Sequence, residues 1–543
     1  MIIDGNSVWG ADTQAGMIQK VIAGFKAIDT FPGLPDNLYE ALENSAARWP
    51  DKTAIVDNYG KEYTYQQFLA YSEEFAAYLN GEKNIRPGSH VGILMYNCAE
   101  FCIAFLALSR LGAVAVPLPS KFKKAEVLPL AERAQVEAVI CDEDYAEWFC
   151  GTYDREAVIE VCGVGLQYGF NRALCGWQDK LGDMENLKKI PKGRPEDTAI
   201  IMFTSGTTSK SKGVLLKNYN IMHAVEAYRR TLHINEKDIS VIATPIYHIT
   251  GLVALLGLFL YAGGTLYIHK FFDAQRVIAD ARRFGFTFIH ASPTVFNLII
   301  QEGEHTPPID SLVSFACGSS NMMKDKLLRL HKWLPKSKFH TVYGLTETTS
   351  PATVFPGDAA CSRFIGSSGI PIPGTKFKIV DDDRNELPWG EVGEIAVRGA
   401  VVLDNYYKQE ADSLTDGWLY TGDLGYFNEE NYLYVVDRKK NMINRGGEKI
   451  WCYDVENEIA SIEGVQDTAV VGIPDDLYGE VAAAVVQLEK GSALTSAEIQ
   501  EYLRTRMAKY KVPVQIKRVD CVPQTPNGKT DKIAIKKILM EEE

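Results

Sequence analysis

AIIMFTSGTTSKSKG (199–213) sets five apolar residues directly against ten that contain no acid and nothing apolar. The first part, AIIMF, reads as a strand buried in a sheet. The second, TSGTTSKSKG (204–213), holds six hydroxyl side chains, two glycines and two lysines. Glycine and hydroxyl residues leave backbone N–H groups uncovered, and such nests cradle phosphate oxygens. Lys210 and Lys212 would add charge-assisted contacts. The loop is not a Walker P-loop, because Ser211 stands where the second glycine is required, five residues after Gly206. A strand running into a phosphate-type loop and then into the helix NIMHAVEAYRR (220–230) points to an α/β fold.

The same alternation extends in both directions. Upstream, the amphipathic YTYQQFLAYSEEFAAYL (63–79) precedes the strand HVGILMY (90–96), an apolar helix around Cys98 and Cys102, and the strand AVAVPL (113–118). GDMENLKKIPKGRPE (182–196) is polar, has two prolines and two glycines, and reads as a connector. Downstream come VIATP, TLYIH, FTFIHA, SFACGS and KFHTVYG, strands whose helical spacers imply parallel sheet. After about residue 350 short strands and turns take over (GTKFKIVDDDRNEL, GEIAVRG, NYLYVVD), and from about 441 a compact α+β pattern follows.

A chain of 543 residues is too long for one core. Its net charge of −13 argues against a nucleic-acid or anionic-membrane binder. Against that balance, residues 504–537 carry ten Lys or Arg and only Asp520 and Asp531 as acids, a surface suited to an anionic ligand. Ten cysteines show no C-x-x-C pair and nine histidines no H-x-x-x-H spacing, so buried thiols are expected in preference to a metal or disulfide framework. No signal peptide is evident at the N-terminus, and a reducing, cytoplasmic setting is expected. The uncharged run 249–268 is broken by Gly263 and Gly264. Its helical part, GLVALLGLFLYA (251–262), rises only about 18 Å, too short to span a bilayer. It is expected to be a buried helix and a pocket wall, with Val295, Phe296 and Met322 as neighbours.

Several chemically loaded stretches fall at strand ends, where open α/β sheets place ligands. CGSS (317–320) follows one strand and YGLTE (343–347) another. In the latter, Tyr343 could stack on a base, Thr346 bond a phosphate, and Glu347 hold Mg²⁺ through hard oxygens. YTGD (420–423) ends in an acid suited to ribose hydroxyls, DRKK (437–440) adds cations, and PNGK (526–529) sets Lys529 on a turn. Each alone also reads as a turn, a cap or a solvated charge.

Taken in order, these blocks resemble those of the adenylate-forming superfamily of acyl- and aryl-CoA ligases, luciferases and peptide-synthetase adenylation domains. The resemblance spans roughly residues 40–535. TSGTTSKSKG is similar to the family's T-S-G-T-T-G-x-P-K-G, and YGLTE, YTGD, DRKKNMINRGGEKI and PNGK are similar to its later blocks. It implies an α/β fold: a large N-terminal AMP-binding domain (1–440) with two α/β subdomains (about 1–185 and 186–345), a β-barrel (346–436) and a hinge near Lys440, then a small mobile α+β domain (441–543). It implies an AMP-forming acid–CoA ligase, using ATP, Mg²⁺ and coenzyme A, that makes acyl-AMP with pyrophosphate release and then a thioester. An acyl-AMP ligase loading a carrier protein, or a nucleotide-binding protein without turnover, are the alternatives.

Carried over by motif, Thr204, Ser205, Gly206, Thr207, Thr208 and Lys212 would orient the β- and γ-phosphates. Thr346 would contact the α-phosphate and Glu347 the metal. Tyr343, Gly344, Gly318, Ser319 and Ser320 would form the adenine slot, and Asp423 and Arg438 would hold the ribose. Lys529 would bridge carboxylate and α-phosphate. Gly446, Gly447 and Lys449 would line the CoA channel. The chain departs from the pattern at Ser209, Ser211 and, in the hinge block, Cys452 in place of proline. PIYHITG (245–251) resembles the block before the acyl pocket; amino-acid-activating relatives carry Asp there, whereas Tyr247–His248 favours a neutral carboxylic acid, fatty or aryl, with His248 lining the acyl or pantetheine channel. The expected partners are that acid, ATP and CoA, with no nucleic acid and no integral membrane segment; the oligomeric state, homodimer included, is left open.

Overall fold

A computed structural model describes residues 1–22, 26–162, 184–204, 211–318, 322–525 and 529–541. Parallel strands dominate the first half. His90–Leu94 lies between Val114–Pro117 and Ala138–Asp142, with Val91 opposite both Ala115 and Ala138. These strands are apolar on both faces because helices cover both faces, the usual condition of a parallel sheet. The helix Ala99–Leu111 is buried almost all round. Cys98 caps it, accepting the Phe101 N–H on sulfur at 3.4 Å, and Gly112 ends it in the left-handed region at φ 63°. Cys98 and Cys102 therefore pack as thiols in or against the core, and neither is in a disulfide.

Strand pairing crosses residue 185. Thr198–Phe203 and Gly213–Lys217 complete the sheet of His90–Leu94, and Ile239–Ile242 and Thr265–Ile268 join Thr53–Val56 and Glu62–Thr64 in another. The division of the α/β region at 185/186 thus does not follow the sheets. The polar segment read as a connector contains a short helix, Met184–Lys189, anchored by Arg110, whose guanidinium donates to the Leu187 carbonyl at 2.6 Å.

The buried helix of 251–262 is present, with a turn of different pitch: Thr250–Gly257 is a π-helix and Leu258–Ala262 an α-helix. Gly263, at φ 81°, ends it where a β-carbon would lie 2.2 Å from the Trp49 ring. The segment packs between the helices Leu38–Arg48 and Asn218–Thr231 in the main core. Phe296 and Met322 sit in a second core, where Phe296 meets Phe315 and Phe339 edge-on, whereas the 251–262 helix belongs to the first. No helix among the described residues is long and apolar enough to cross a membrane.

The later strands pair as an antiparallel sheet in which Thr375–Val380, Gly393–Gly399 and Trp418–Phe427 are neighbours, with Leu433–Arg438 beside the last. Its edge strand is Ile2–Asp4 from the N-terminus, outside the 346–436 span assigned to a barrel. The C-terminal part is α+β: Val465–Asp475 and Gly479–Leu488 form a long hairpin, Gln515–Arg518 adds a parallel strand, and Val455, Ile459, Val470 and Leu503 fill the core. It touches the rest through Tyr453, whose hydroxyl donates to the Met322 carbonyl at 3.3 Å, and through an Arg329–Glu489 ion pair at 3.2 Å.

Candidate active site

Phe288–Ala291, Ser314–Cys317 and Lys338–Tyr343 run parallel and in register, so their C-terminal ends open on one edge. Tyr343 begins the YGLTE turn there. Gly344 is required: a β-carbon on it would sit 1.5 Å from the Ser350 carbonyl oxygen. The chain then makes a 3₁₀ turn over Thr346–Thr348 and passes through two left-handed non-glycine residues, Thr349 (φ 55°) and Ser350 (φ 90°). Such backbone persists only when its surroundings over-determine it. Here the Leu403 N–H donates to the Glu347 carbonyl at 2.9 Å, the Thr349 hydroxyl to the Val401 carbonyl at 2.7 Å, and Ser350 meets the Tyr228 hydroxyl at 2.9 Å.

Asp423 and Arg438 are cross-strand partners in the antiparallel ladder. The Arg438 Nε donates to Asp423 Oδ1 at 3.0 Å, and the Tyr343 hydroxyl donates to Oδ2, also at 3.0 Å. Tyr343 therefore positions the Asp423 carboxylate, a task not expected of it from sequence. Burial pushes the Asp423 carboxyl upward, against the charge of Arg438, the Tyr343 hydrogen bond and the charge of Lys529. Burial likewise raises Glu347, against its own backbone N–H and Arg438. Lys529 shares this field: the residue is exposed at the surface, yet partial desolvation of its ammonium by the protein around it, then the charge of Arg438, holds it below the ordinary lysine range, while Asp423 and Glu347 pull the other way. Lys529 thus stands over the same cluster although it lies 106 residues beyond Asp423 (529 − 423). Its turn is closed by the Thr525 N–H donating to the Lys529 carbonyl at 2.7 Å.

The strands on either side of the phosphate-type loop pair antiparallel. Phe203 pairs with Gly213, and the Thr204 N–H donates to the Lys212 carbonyl at 3.1 Å. Ser205, Gly206, Thr207 and Thr208 lie outside the described residues, as do Ser319 and Ser320. Arg133 donates to the Ser211 carbonyl, fixing one flank. The Lys212 ammonium lies 4.8 Å from the ring centroid of Tyr406. The hydroxyl of that tyrosine donates to Glu347 Oε1 at 3.4 Å. Tyr406 so joins the phosphate loop to the YGLTE acid. Sequence reading missed it, since its only local mark is the Tyr406–Tyr407 pair.

Gly318 contacts no protein atom closely enough to demand glycine; its nearest neighbours would be the Val342 carbonyl at 3.4 Å and His290 Nε2 at 3.5 Å from a β-carbon. The PIYHITG segment is held by Asn97, another residue without a sequence signal: its Oδ1 accepts from the Ile246 N–H at 2.8 Å, and its amide donates to the Thr244 and His269 carbonyls. His248 is half-buried, its ring 4.6 Å from that of Tyr247. The Tyr247 hydroxyl is buried and has no hydrogen-bond partner among the described residues. Gly446 and Gly447, at φ 59° and 99°, form the hairpin turn before Lys449. All three are exposed, and this turn geometry accounts for both glycines. Lys440 is exposed just after Arg438.

The donor set at Glu347 suits magnesium. It is a carboxylate whose side-chain hydrogen bond, from Tyr406, is weak, and no lysine or arginine among the described residues forms an ion pair with it.

The chain belongs to the AMP-binding enzyme family, which matches residues 42–407, with the family's C-terminal domain matching 454–529. It is 28% identical over 533 residues to a long-chain-fatty-acid–CoA ligase of Escherichia coli O6:H1, covering 92% of this chain and 94% of that protein. It is also 28% identical over 527 residues to a dioxo-octahydroindenyl-propanoyl:CoA ligase of Rhodococcus jostii, covering 94% and 99%. Among solved structures, o-succinylbenzoate CoA synthetase of Bacillus subtilis in complex with its acyl-adenylate intermediate superposes with a TM-score of 0.78 at 27% identity, covering 94% of this chain and 99% of that one.

Proposed function

We propose that the chain is an AMP-forming acid–CoA ligase that activates a non-amino carboxylic acid, fatty or aryl, and passes the acyl group to coenzyme A. One observation carries this reading: Asp423 is bonded at once to Tyr343 and Arg438, with Lys529 in its field. Three distant segments so converge on one buried carboxylate.

In this reading Asp423, oriented by Tyr343 and Arg438, accepts from the ribose hydroxyls. Thr204 and Lys212, with the loop between them, bind the distal phosphates, and Thr346 binds the α-phosphate. Glu347 would hold Mg²⁺, which supplies neutralisation of phosphate charge. Lys529 holds the acid's carboxylate against the α-phosphorus; two anions that repel are brought together by one cation, so the contribution is positioning and electrostatics. The carboxylate oxygen attacks phosphorus, pyrophosphate leaves, and the CoA thiol then displaces AMP from the acyl carbon. For transfer we assign Gly446, Gly447 and Lys449 to the thiol's approach, with Lys440 as the hinge of a C-terminal domain of 441–543. The neutral acid follows from Tyr247 and His248, which offer no carboxylate to pair with a substrate ammonium. The cysteine thiols fit a cytoplasmic setting.

Incubation with ATP, Mg²⁺ and a panel of carboxylic acids, with and without CoA, tests the reading. Acid-dependent pyrophosphate release followed by acyl-CoA is expected. Acyl-AMP that CoA cannot discharge, or ATP binding without pyrophosphate release, would overturn it.

A further inference from the structure

The last turn of the helix Lys324–Trp333 and the loop after Val354 bring three side chains of different chemistry together at the surface. His331 Nε2 lies 3.3 Å from Cys361 Sγ, and His331 Nδ1 lies 3.5 Å from Asp358 Oδ2. One ligand atom from each residue falls within 4.8 Å of the others. We propose that His331, Asp358 and Cys361 form a binding site for a borderline-soft divalent metal ion of the zinc class, separate from the nucleotide site.

Three features point this way. The first is spacing. Metal–sulfur bonds of about 2.3 Å and metal–nitrogen bonds of about 2.0 Å at tetrahedral angles place the two ligand atoms about 3.5 Å apart. One ring nitrogen must serve the ion, and Nδ1 lies 3.5 Å from Asp358 Oδ2 and 4.0 Å from Cys361 Sγ, near that separation from both other donors. The second is preorganisation. Asp358 Oδ1 accepts the backbone N–H groups of Phe339 and Ala360, both at 3.1 Å, which locks the carboxylate and turns Oδ2 toward His331. A carboxylate fixed in this way needs little further ordering when a metal arrives. The third is the donor set. One nitrogen, one oxygen and one sulfur favour zinc, cobalt or cadmium over magnesium and calcium, which prefer oxygen throughout. Cys361 is exposed, so a fourth position is open to water or to a further ligand.

Location separates this cluster from the Glu347 site. Asp358 is tied to Phe339, at the start of Lys338–Tyr343, whereas Tyr343 ends that strand at the nucleotide cluster. Four residues of strand put about 13 Å between those two anchor points.

Cobalt(II) titrated into the full-length reduced protein, without nucleotide, tests the proposal. Binding of one ion per chain is expected, with tetrahedral visible bands and a thiolate-to-cobalt charge-transfer band, both bleached by zinc. Cys361→Ser should remove the charge-transfer band, and His331→Gln should weaken binding at least tenfold. Cys150→Ser, which alters another exposed thiol, should leave both signals intact. Acyl-CoA formation by Cys361→Ser should stay within twofold of the parent, showing that the fold survives. Absence of the charge-transfer band in the parent, or its persistence in Cys361→Ser, would overturn the site.

Discussion

The Tyr406 hydroxyl reaches Glu347 at 3.4 Å while its ring carries the Lys212 ammonium at 4.8 Å. Tyr406→Phe separates these functions, since the ring stays and the hydroxyl goes. A hydrogen bond to a charged group contributes about 1.5–3 kcal/mol when well formed. At 3.4 Å the lower end applies, roughly tenfold in rate. We expect pyrophosphate release to fall by that factor and to need more Mg²⁺, with an unchanged melting temperature. Glu347→Gln should fall further, by about 10²–10³. Parent-like magnesium dependence in both variants would remove Glu347 from the metal role.

Asp423→Ala removes the acceptor for Tyr343 and leaves Arg438 facing a buried void. Breaking a buried pair from one side costs about 3–5 kcal/mol; Arg438 is partly exposed, so the lower end or less is expected. The KM for ATP should rise, with the acid's KM little changed. Asp423→Ala combined with Arg438→Ala should lose less than the sum of the single variants. Strict additivity would show that the two do not act as one unit.

For Lys529, the half-reactions and the pH profile give independent readouts. Lys529→Ala should abolish acyl-AMP formation yet convert supplied acyl-AMP and CoA to thioester. The ammonium is the working form and its pKa is depressed in the free enzyme. The alkaline limb of kcat/KM for ATP should accordingly fall below the ordinary lysine value of about 10.4. Lys529→Arg should carry that limb upward, out of range. An alkaline limb that Lys529→Arg leaves in place would belong to another group.

Burial pulls the imidazole of His223 down to about 4 and that of His290 down to about 3. His223 is neutral with the proton on Nε2, as its contacts dictate: Nε2 faces the Pro373 carbonyl and Nδ1 faces the Thr30 hydroxyl, each at 2.9 Å. Below about pH 6.5 the unfolded chain takes up protons at these sites and the fold does not, so stability falls with pH. This contribution is complete above about 6.5 and is lost as pH drops through the folded values. Urea midpoints measured at about pH 7.5 and about pH 5 should differ, and His223→Gln should narrow the difference while lowering both.

Gly344→Ala puts a methyl where the Ser350 carbonyl lies. The turn must open, moving Thr346 and Glu347 together. ATP turnover should be lost, while the distant Cys361 signal remains. A fully active alanine variant would refute the packing argument.

The strands of the parallel sheets were legible because burial on both faces demands continuous apolar runs, as in AIIMF and HVGILMY. The candidate site blocks stood out in the sequence because they gather residue types that a core rejects. Other features depend on distant partners and left no local trace. Tyr406 meets Glu347 across 59 positions and Asn97 meets Ile246 across 149. Ile2–Asp4 finds its sheet partner near residue 377. The π-helical pitch of Thr250–Gly257 was invisible for another reason: with every residue in 251–257 buried, no polar face marks the period.

Cys452 stands where the motif resemblance implies a proline, and its backbone N–H donates to Asp437 Oδ2 at 2.9 Å, a bond proline could not make. Asp437 lies three residues before Lys440 and Cys452 twelve residues after it, so the bond brackets the hinge proposed at Lys440. This amide is therefore a native reporter. Any rotation about Lys440 that parts the two residues hands that proton to solvent, and its deuterium uptake counts the openings without a label. Substituting proline would silence the reporter and release the latch together.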